Sequence, residues 1–254
     1  MTQTNRDRNI IVTVDVVLFA LYDKRLHVVL TRRPREPYAD QLALPGGYVH
    51  QQEDIDSLAA AVRVLRTKTG IAPPYLEQLY SFADSARDPR GWSVSLGYFA
   101  LVDESVLRAA QSVEAGFGFE LIDVGAVPRL SFDHNRILEV ALQRLRDKSA
   151  YSTLPCYLLP EQFTFAQVHE TYEHVMAVAL DKSAFRRKLT EMDVLEECKG
   201  QRVGGAHRPA QLFRVKTDLA HRLRLLDRPL AVPNPDKTAT GLAQTKGNPV
   251  NLAP

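Results

Sequence analysis

Between residues 46 and 71, GGYVHQQEDIDSLAAAVRVLRTKTGI, the chain gathers residue types that handle phosphate and metal. The pair Gly46 and Gly47 lets the backbone turn tightly and approach a ligand closely. Glu53, Asp54 and Asp56 crowd the following loop. Three carboxylates there are either an oxygen set for a hard cation such as Mg²⁺ or caps and dipole partners of the helix behind them. Upstream, Arg32 and Arg33 leave a strand together, as a solvated strand end or as bidentate partners for anionic groups. Trp92, the single tryptophan, is read as packing or as a stacking surface for an adenine. His134 is a residue type suited to general-base work, but no acid partner for it is visible in the sequence, and it reads as structural.

Elements must hold these groups in place. In the central stretch Ile55, Leu58, Val62 and Leu65 fall at helical spacing, which predicts that this face packs while the opposite one looks into a cleft. Gly70 stands where a helix C-cap belongs. Ahead of it, NIIVTVDVVLFAL and RLHVVLTRRP read as two strands around an Asp23-Lys24 turn. Behind it, YLEQLYSFADSARDPR and GWSVSLGYFALVD read as two more, joined by a charged turn at Arg87-Asp88-Pro89-Arg90. A short helix ESVLRAAQ and a strand GFGFELIDVGAVP follow. SFDHNRILEVALQRLRDK then gives a helix with a Leu138, Leu142, Leu145 stripe and Ser131 or Asp133 as its cap.

Composition bounds the alternatives. With 254 residues, 45% of them hydrophobic, the chain is long enough for one large domain or two ordinary ones. A formal net charge of +2 names no partner. Cys156 and Cys198, at no metal-like spacing, point to a reducing compartment without a disulfide framework. No apolar run approaches the ~20 residues that span a membrane, so a cytoplasmic protein with no membrane partner is expected.

After residue 148 the pattern changes. Two prolines within 149–163 interrupt the helical pattern. Thr164 and Gln167 form a capping box ahead of a helix carrying Val168, Tyr172 and Val175 on one face. Asp181 caps a second helix, KSAFRRKLTEM, with Phe185, Leu189 and Met192 inward and Ser183, Arg186, Arg187 and Thr190 outward. Two β segments, VLEECKG and AQLFRVK, flank the glycine-containing loop QRVGGAHRP. Helix, turn, helix and hairpin in that order predict a winged helix-turn-helix. From Lys182 to Lys216 nine basic residues face four acidic ones, a local net of +5 and an electrostatic footprint for nucleic acid. Lys182, Ser183, Arg186, Arg187 and Thr190 are the candidate DNA readers, with Arg208 on the wing holding the backbone. Residues 229–254 read as a disordered tail.

The central stretch resembles a Nudix box, G-x(5)-E-x(7)-R-E-U-x-E-E-x-G-U with U apolar. Counting back from Gly70 sets the box arginine on Arg63, with Leu65 and Ile71 at apolar positions and Val64, Thr67 and Lys68 where the three glutamates belong. Counted forward from Gly47 the upstream glutamate is Glu53, but counted back from Arg63 the position is Ile55, so the loop carries two extra residues. The carboxylates that such enzymes gather around Mg²⁺ are gone, and Lys68 puts a cation near the metal position.

The resemblance therefore implies a Nudix-type α/β/α sandwich over 1–148, kept for binding, with no catalytic residue, metal or cofactor. It sets the loop after Arg32 along the cleft and makes Arg32, Tyr38, Gly46, Gly47, Arg63 and Trp92 its candidate ligand residues. Joined to a winged helix over 149–228, this resembles the NrtR family of Nudix-related regulators of NAD metabolism. LPGGYV, the Arg63 remnant, LDKSAFRRKL and RPAQLFRV carry the likeness, and FDH at 132–134 is similar to the start of that family's last Nudix helix. The resemblance implies a homodimeric repressor of NAD biosynthesis or salvage genes. Its partners would be a palindromic double-stranded operator and an effector, ADP-ribose or NAD. Two alternatives stay open: a Nudix hydrolase with its metal site displaced onto Glu53, Asp54 and Asp56, and a nucleic-acid module that needs no ligand cleft.

Overall fold

The computed structural model describes residues 10–112, 118–203, 210–216 and Leu230. The first unit is built on β1 (Ile11–Tyr22) and β2 (Arg25–Arg32), an antiparallel hairpin whose Asp23 and Lys24 both take positive φ, 47° and 61°. Two such residues give the two-residue turn whose twist matches the strands it joins. β3 (Leu42–Ala43) and β4 (Gly46–Tyr48) extend the sheet, then come α1 (Ser57–Thr69), β5 (Tyr75–Asp84), β6 (Ser93–Val102), α2 (Glu104–Gln111), β7 (Phe119–Asp123) and α3 (His134–Ser149). The sheet order is β3-β2-β1-β6-β5, with β4 beside β1 and β7 beside β2; β1 and β6 run parallel.

β1 is apolar on both faces because both are covered. Val14, Val16, Leu18 and Ala20 pack against α1 and α2, whereas Val17 and Phe19 pack against α3. This is the α/β/α sandwich that the sequence predicts.

The packed face of α1 differs from the expected one. Ile55 is 90% exposed, Leu58 46% and Val62 40%, while Ala60, Ala61, Val64, Leu65 and Thr69 are buried. The helix begins only at Ser57, whose hydroxyl bonds the Tyr98 hydroxyl at 2.7 Å. Small residues let it lie close to the sheet, and Gly47 helps: a Cβ there would stand 3.1 Å from Val64 Cγ2. Two apolar stripes share α1, and spacing alone does not say which meets the sheet. Gly70 ends the helix as expected, at φ 71°.

The stretch after α3 ties two cores together. In a 3-10 turn, Leu154–Leu158, the side chains of Leu154 and Leu158 join the core of the sandwich, while Cys156 joins that of the second unit. Burial pushes the Cys156 thiol up to about 12, so this cysteine behaves as a small apolar residue. The second unit contains β8 (Phe163–Thr164), α4 (Phe165–Met176), α5 (Lys182–Glu191), β9 (Leu195–Val203) and β10 (Ala210–Val215). The Thr164–Gln167 capping box and the Asp181 cap both form, and β8, β10 and β9 make a three-stranded sheet behind the helices. Of residues 229–254, the expected tail, only Leu230 is among those described. It donates its N–H to the Ala150 carbonyl at 2.7 Å and packs on the second core. No helix among the described residues is long and apolar enough to cross a membrane.

Candidate ligand cleft and nucleic-acid interface

A cleft of about 600 Å³ opens beside α1, lined by β4, the loop after β2, the segment 87–90 and the start of α3. At its floor lies a buried polar cluster. Arg87 donates to both Asp133 oxygens, at 2.9 and 3.2 Å, and sits 3.5 Å from Asp15. Ser95 Oγ donates to Asp15 at 2.5 Å. Burial alone would raise the Asp15 carboxyl, but His134, Ser95 and Arg87 together hold it below the usual carboxylate range. The Leu44 N–H donates to His134 Nδ1 at 3.0 Å, so the ring proton is on Nε2, facing Asp15 Oδ1 at 3.4 Å. The acid partner that the sequence did not reveal is thus Asp15, brought from β1, and with both ring nitrogens engaged His134 is structural.

The charged turn expected at 87–90 is largely inside: Arg87 and Asp88 are buried, at 7% and 3% exposure. Asp133 does stand at the N-cap of α3, but it makes no capping hydrogen bond, because its carboxylate is held by Arg87.

Gly46 is fixed by the same cluster. A Cβ there would lie 2.0 Å from Asp15 Oδ1 and 3.2 Å from the Val14 carbonyl. Gly46→Ala is expected to cost about 1–3 kcal/mol of stability and to deform the cleft floor; thermal unfolding with and without a bound nucleotide measures both.

The cleft as a whole is cationic. Arg32, Arg33, Arg35, Arg63, Lys68, Arg87 and Arg90 line it against Asp15, Glu36 and Asp88, a net of +4. Most of these cations are already engaged. Arg32 pairs with Glu120 at 2.9 Å and donates to the Asp40 carbonyl at 2.8 Å. Arg63 forks onto Asp54 at 2.6 and 2.7 Å, holding that carboxyl down to about 2. Arg90 forks onto Asp88 at 2.6 and 2.9 Å. Among the described residues Arg33, Arg35 and Lys68 have no carboxylate partner.

Arg33 is the most exposed to this imbalance. Its guanidinium lies 4.5 Å over the Phe132 ring, with Arg90 5.7 Å from the same ring. Burial, then Arg90, pushes it below the ordinary guanidinium value. Phe132 itself takes φ 55°, a conformation costly for an aromatic residue.

The remaining sequence candidates are placed as follows. Gly46, Gly47, Arg32 and Arg63 line the cleft. Tyr38 lies outside the lining and meets Phe132 edge-on, centroids 5.0 Å apart. Trp92 also lies outside it, 48% exposed, with its carbonyl accepting from the Ile11 N–H at 3.1 Å. The sequence did not single out Arg33 separately from Arg32, nor Arg90, Phe132 and Tyr48, which line the cleft with the Arg90 guanidinium 5.3 Å over the Tyr48 ring. The available signal was two arginines and an aspartate around Pro89, an unusual charge density for a plain strand connection.

The three loop acids do not converge. Glu53 meets His50 Nδ1 at 3.1 Å, Asp54 holds Arg63, and Asp56 caps α1 by accepting the Ala59 N–H at 2.7 Å. Val64, Thr67 and Lys68 line the cleft at the box positions where carboxylates would bind Mg²⁺. These residues do not fit a metal, and among the described residues no group of three His, Cys, Asp or Glu is arranged to hold one.

In the second unit Lys182, Ser183, Arg186, Arg187 and Thr190 are all exposed on α5. Arg186 lies 4.9 Å over the Phe165 ring, and Arg187 is 3.9 Å from Glu191. Near the wing, Glu196 pairs with Arg214 at 2.6 Å and Asp193 with Lys216 at 2.5 Å. The local acids thus neutralise the base of the wing and leave α5 cationic. Arg208 lies outside the described residues.

Residues 12–139 match the NUDIX domain family and residues 155–215 the NrtR DNA-binding winged helix domain. The ADPR responsive transcriptional repressor NtrR of Acinetobacter baylyi is 38% identical over 206 residues, covering 80% of this chain and 81% of that one. The chain belongs to the NrtR family. NrtR of Shewanella oneidensis, solved with a 27mer DNA, superposes with a TM-score of 0.78 at 32% identity, over 87% of this chain and 99% of that one. A MutT/nudix family protein of Enterococcus faecalis shares the fold, with a TM-score of 0.66 at 23% identity over 85% of this chain and 90% of that one. An ADP-ribose pyrophosphatase of Methanocaldococcus jannaschii is 29% identical over 124 residues, 49% of this chain and 70% of that one. Besides its Nudix domain this NrtR-family chain carries the winged helix, and its box holds Val64, Thr67 and Lys68.

Proposed function

We propose that this chain is a cytoplasmic transcriptional repressor of NAD biosynthesis or salvage genes. ADP-ribose, or a related nucleotide such as NAD, would bind the cleft without being hydrolysed. The observation that carries the reading is the cleft itself: its frame is kept, its carboxylate positions are filled by Val64, Thr67 and Lys68, and three cations face it without a carboxylate partner. A diphosphate offers the anionic oxygens that Arg33, Arg35 and Lys68 lack. Gly46 and Gly47, against which Asp15 and Val64 pack closely, set the backbone at the cleft wall, while Arg32 and Arg63, already paired, shape the rest. The relative from Acinetobacter baylyi is named as an ADPR responsive repressor, which supports the same effector here.

The ligand unit, 1–148, acts on a DNA-binding unit, 149–228, by linkage. If the nucleotide favours one arrangement of the two, it shifts the population that binds DNA; a tenfold change needs about 1.4 kcal/mol. As a homodimer the protein binds a palindrome with half-sites about one or two turns of ~10.5 bp apart. Arg208, which falls in sequence between the two strands of the hairpin, would contact the DNA backbone.

The test is binding to the DNA upstream of its own gene, with and without ADP-ribose or NAD. Expected is a complex whose affinity responds to one of them. In the same preparation, Mg²⁺ or Mn²⁺ should bring no turnover of ADP-ribose near ~1 s⁻¹, an ordinary enzyme rate. Turnover at that rate would return the chain to the hydrolases.

A further inference from the structure

The turn between α4 and α5 is held from both sides by two residues of α4. The Leu180 N–H donates to Glu173 Oε1 at 2.8 Å, and the Leu180 carbonyl accepts from His169 Nε2 at 2.9 Å. His169 Nδ1 faces the second Glu173 oxygen, Oε2, at 3.3 Å. One residue after Leu180, Asp181 caps α5. The His169 ring, 3% exposed, also meets Phe185 edge-on at 5.2 Å, and Phe185 is the buried anchor of α5 beside Arg186.

Filling space would not select these residues. A buried imidazole beside a carboxylate loses hydration that a leucine or methionine would not. The turn needs holding, however: Ala177 takes φ 55°, a left-handed conformation that glycine normally supplies. With a strained start and a short span, Leu180 is the point at which the direction of α5 is set.

We propose that His169 and Glu173 are positioning residues for DNA recognition. By gripping the N–H and the carbonyl of Leu180 they fix the angle at which α5 presents Arg187 and its neighbours. The proposal rests on reading α5 as the recognition helix. Nε2 must be the donor, because its partner is a carbonyl; Glu173 must be the acceptor, because its partner is an amide.

The experiment compares His169→Ala, Glu173→Ala, the double variant and His169→Gln in the full chain. Each is titrated against the duplex that the parent enriches from a random pool and against a scrambled duplex of equal length, at one salt concentration. Each alanine variant is expected to lose about tenfold or more on the enriched duplex, with little change on the scrambled one. The double variant should be no worse than either single, since both residues hold Leu180. His169→Gln, whose amide nitrogen supplies the donor, should recover most of the affinity. If the alanine variants are unstable, His169→Met against His169→Gln makes the same comparison, bulk without a donor against bulk with one. Enriched-duplex binding like the parent's, equal loss on both duplexes, or no recovery with glutamine would each overturn the clamp. A parent that enriches no sequence would instead overturn the reading of α5 on which it rests.

Discussion

Arg87→Ala is expected to lower folding stability by about 3–5 kcal/mol, measured by denaturant titration at neutral pH. The Arg87 side chain is only 4% exposed, between the Asp15 side chain at 7% and that of Asp133 at 15%. Removing the cation strips Asp133 of its buried partner and leaves Asp15 with only His134 and Ser95. The Asp15 carboxyl is held below its usual range in the folded protein. Its contribution is therefore complete above the unfolded carboxylate value and is lost as pH falls through the folded one. In the variant Asp15 keeps His134 and Ser95 but loses Arg87, so its carboxyl is held down less and the deficit against the parent should shrink at acid pH. The exposed pair Arg25–Asp123, at 3.4 Å, supplies the control: Arg25→Ala should cost no more than ~1 kcal/mol. A loss of that small size for Arg87→Ala would mean that the Arg87 pairs with Asp15 and Asp133 are not held in solution.

The second large effect lies on α5. Arg187→Ala is expected to cost about 1–3 kcal/mol on the operator and less on random DNA, read from titrations of both duplexes at one salt concentration. The structure separates Arg187 from its neighbour. Arg186 is stacked on Phe165, whereas Arg187 holds only an exposed i,i+4 partner, Glu191, at 3.9 Å, an interaction of about 0.3–0.5 kcal/mol. On the proposed reading Arg187 would reach a guanine edge at little cost, and arginine on guanine is the commonest specific base contact. Phosphate contacts by Lys182 and the other exposed cations would appear separately, as a log–log salt slope of about −0.9 per contact. If Arg187→Ala and Arg186→Ala both bind operator like the parent, α5 is not the reading helix.

The likeness to a Nudix box and a winged helix was legible because both rest on local chemistry. Gly70 as a C-cap, the Thr164–Gln167 capping box, the Asp181 cap and the Asp23-Lys24 turn depend on residues within about a turn of each other. Substitutions at Val64, Thr67 and Lys68 could be read the same way, since the box is a fixed spacing on one helix. Less was legible in the cleft. Arg32 and Arg63 were visible as cations, but not that Glu120 and Asp54 already neutralise them.

What the sequence by itself determined is the order of the main strands and helices (not the short β3 and β8 or the 3-10 turn), the two architectures and the loss of carboxylates from the box. What only the tertiary structure decided is which charges are spare. Asp15, Arg87 and His134 come from β1, the 87–90 segment and α3, and no spacing along the chain announces that they meet. The packed stripe of α1 was decided the same way, by Gly47 and Tyr98 rather than by the period of the helix. The reason is physical: capping and turn preferences act within a few residues, whereas burial and charge compensation depend on groups that only folding brings within a few ångströms.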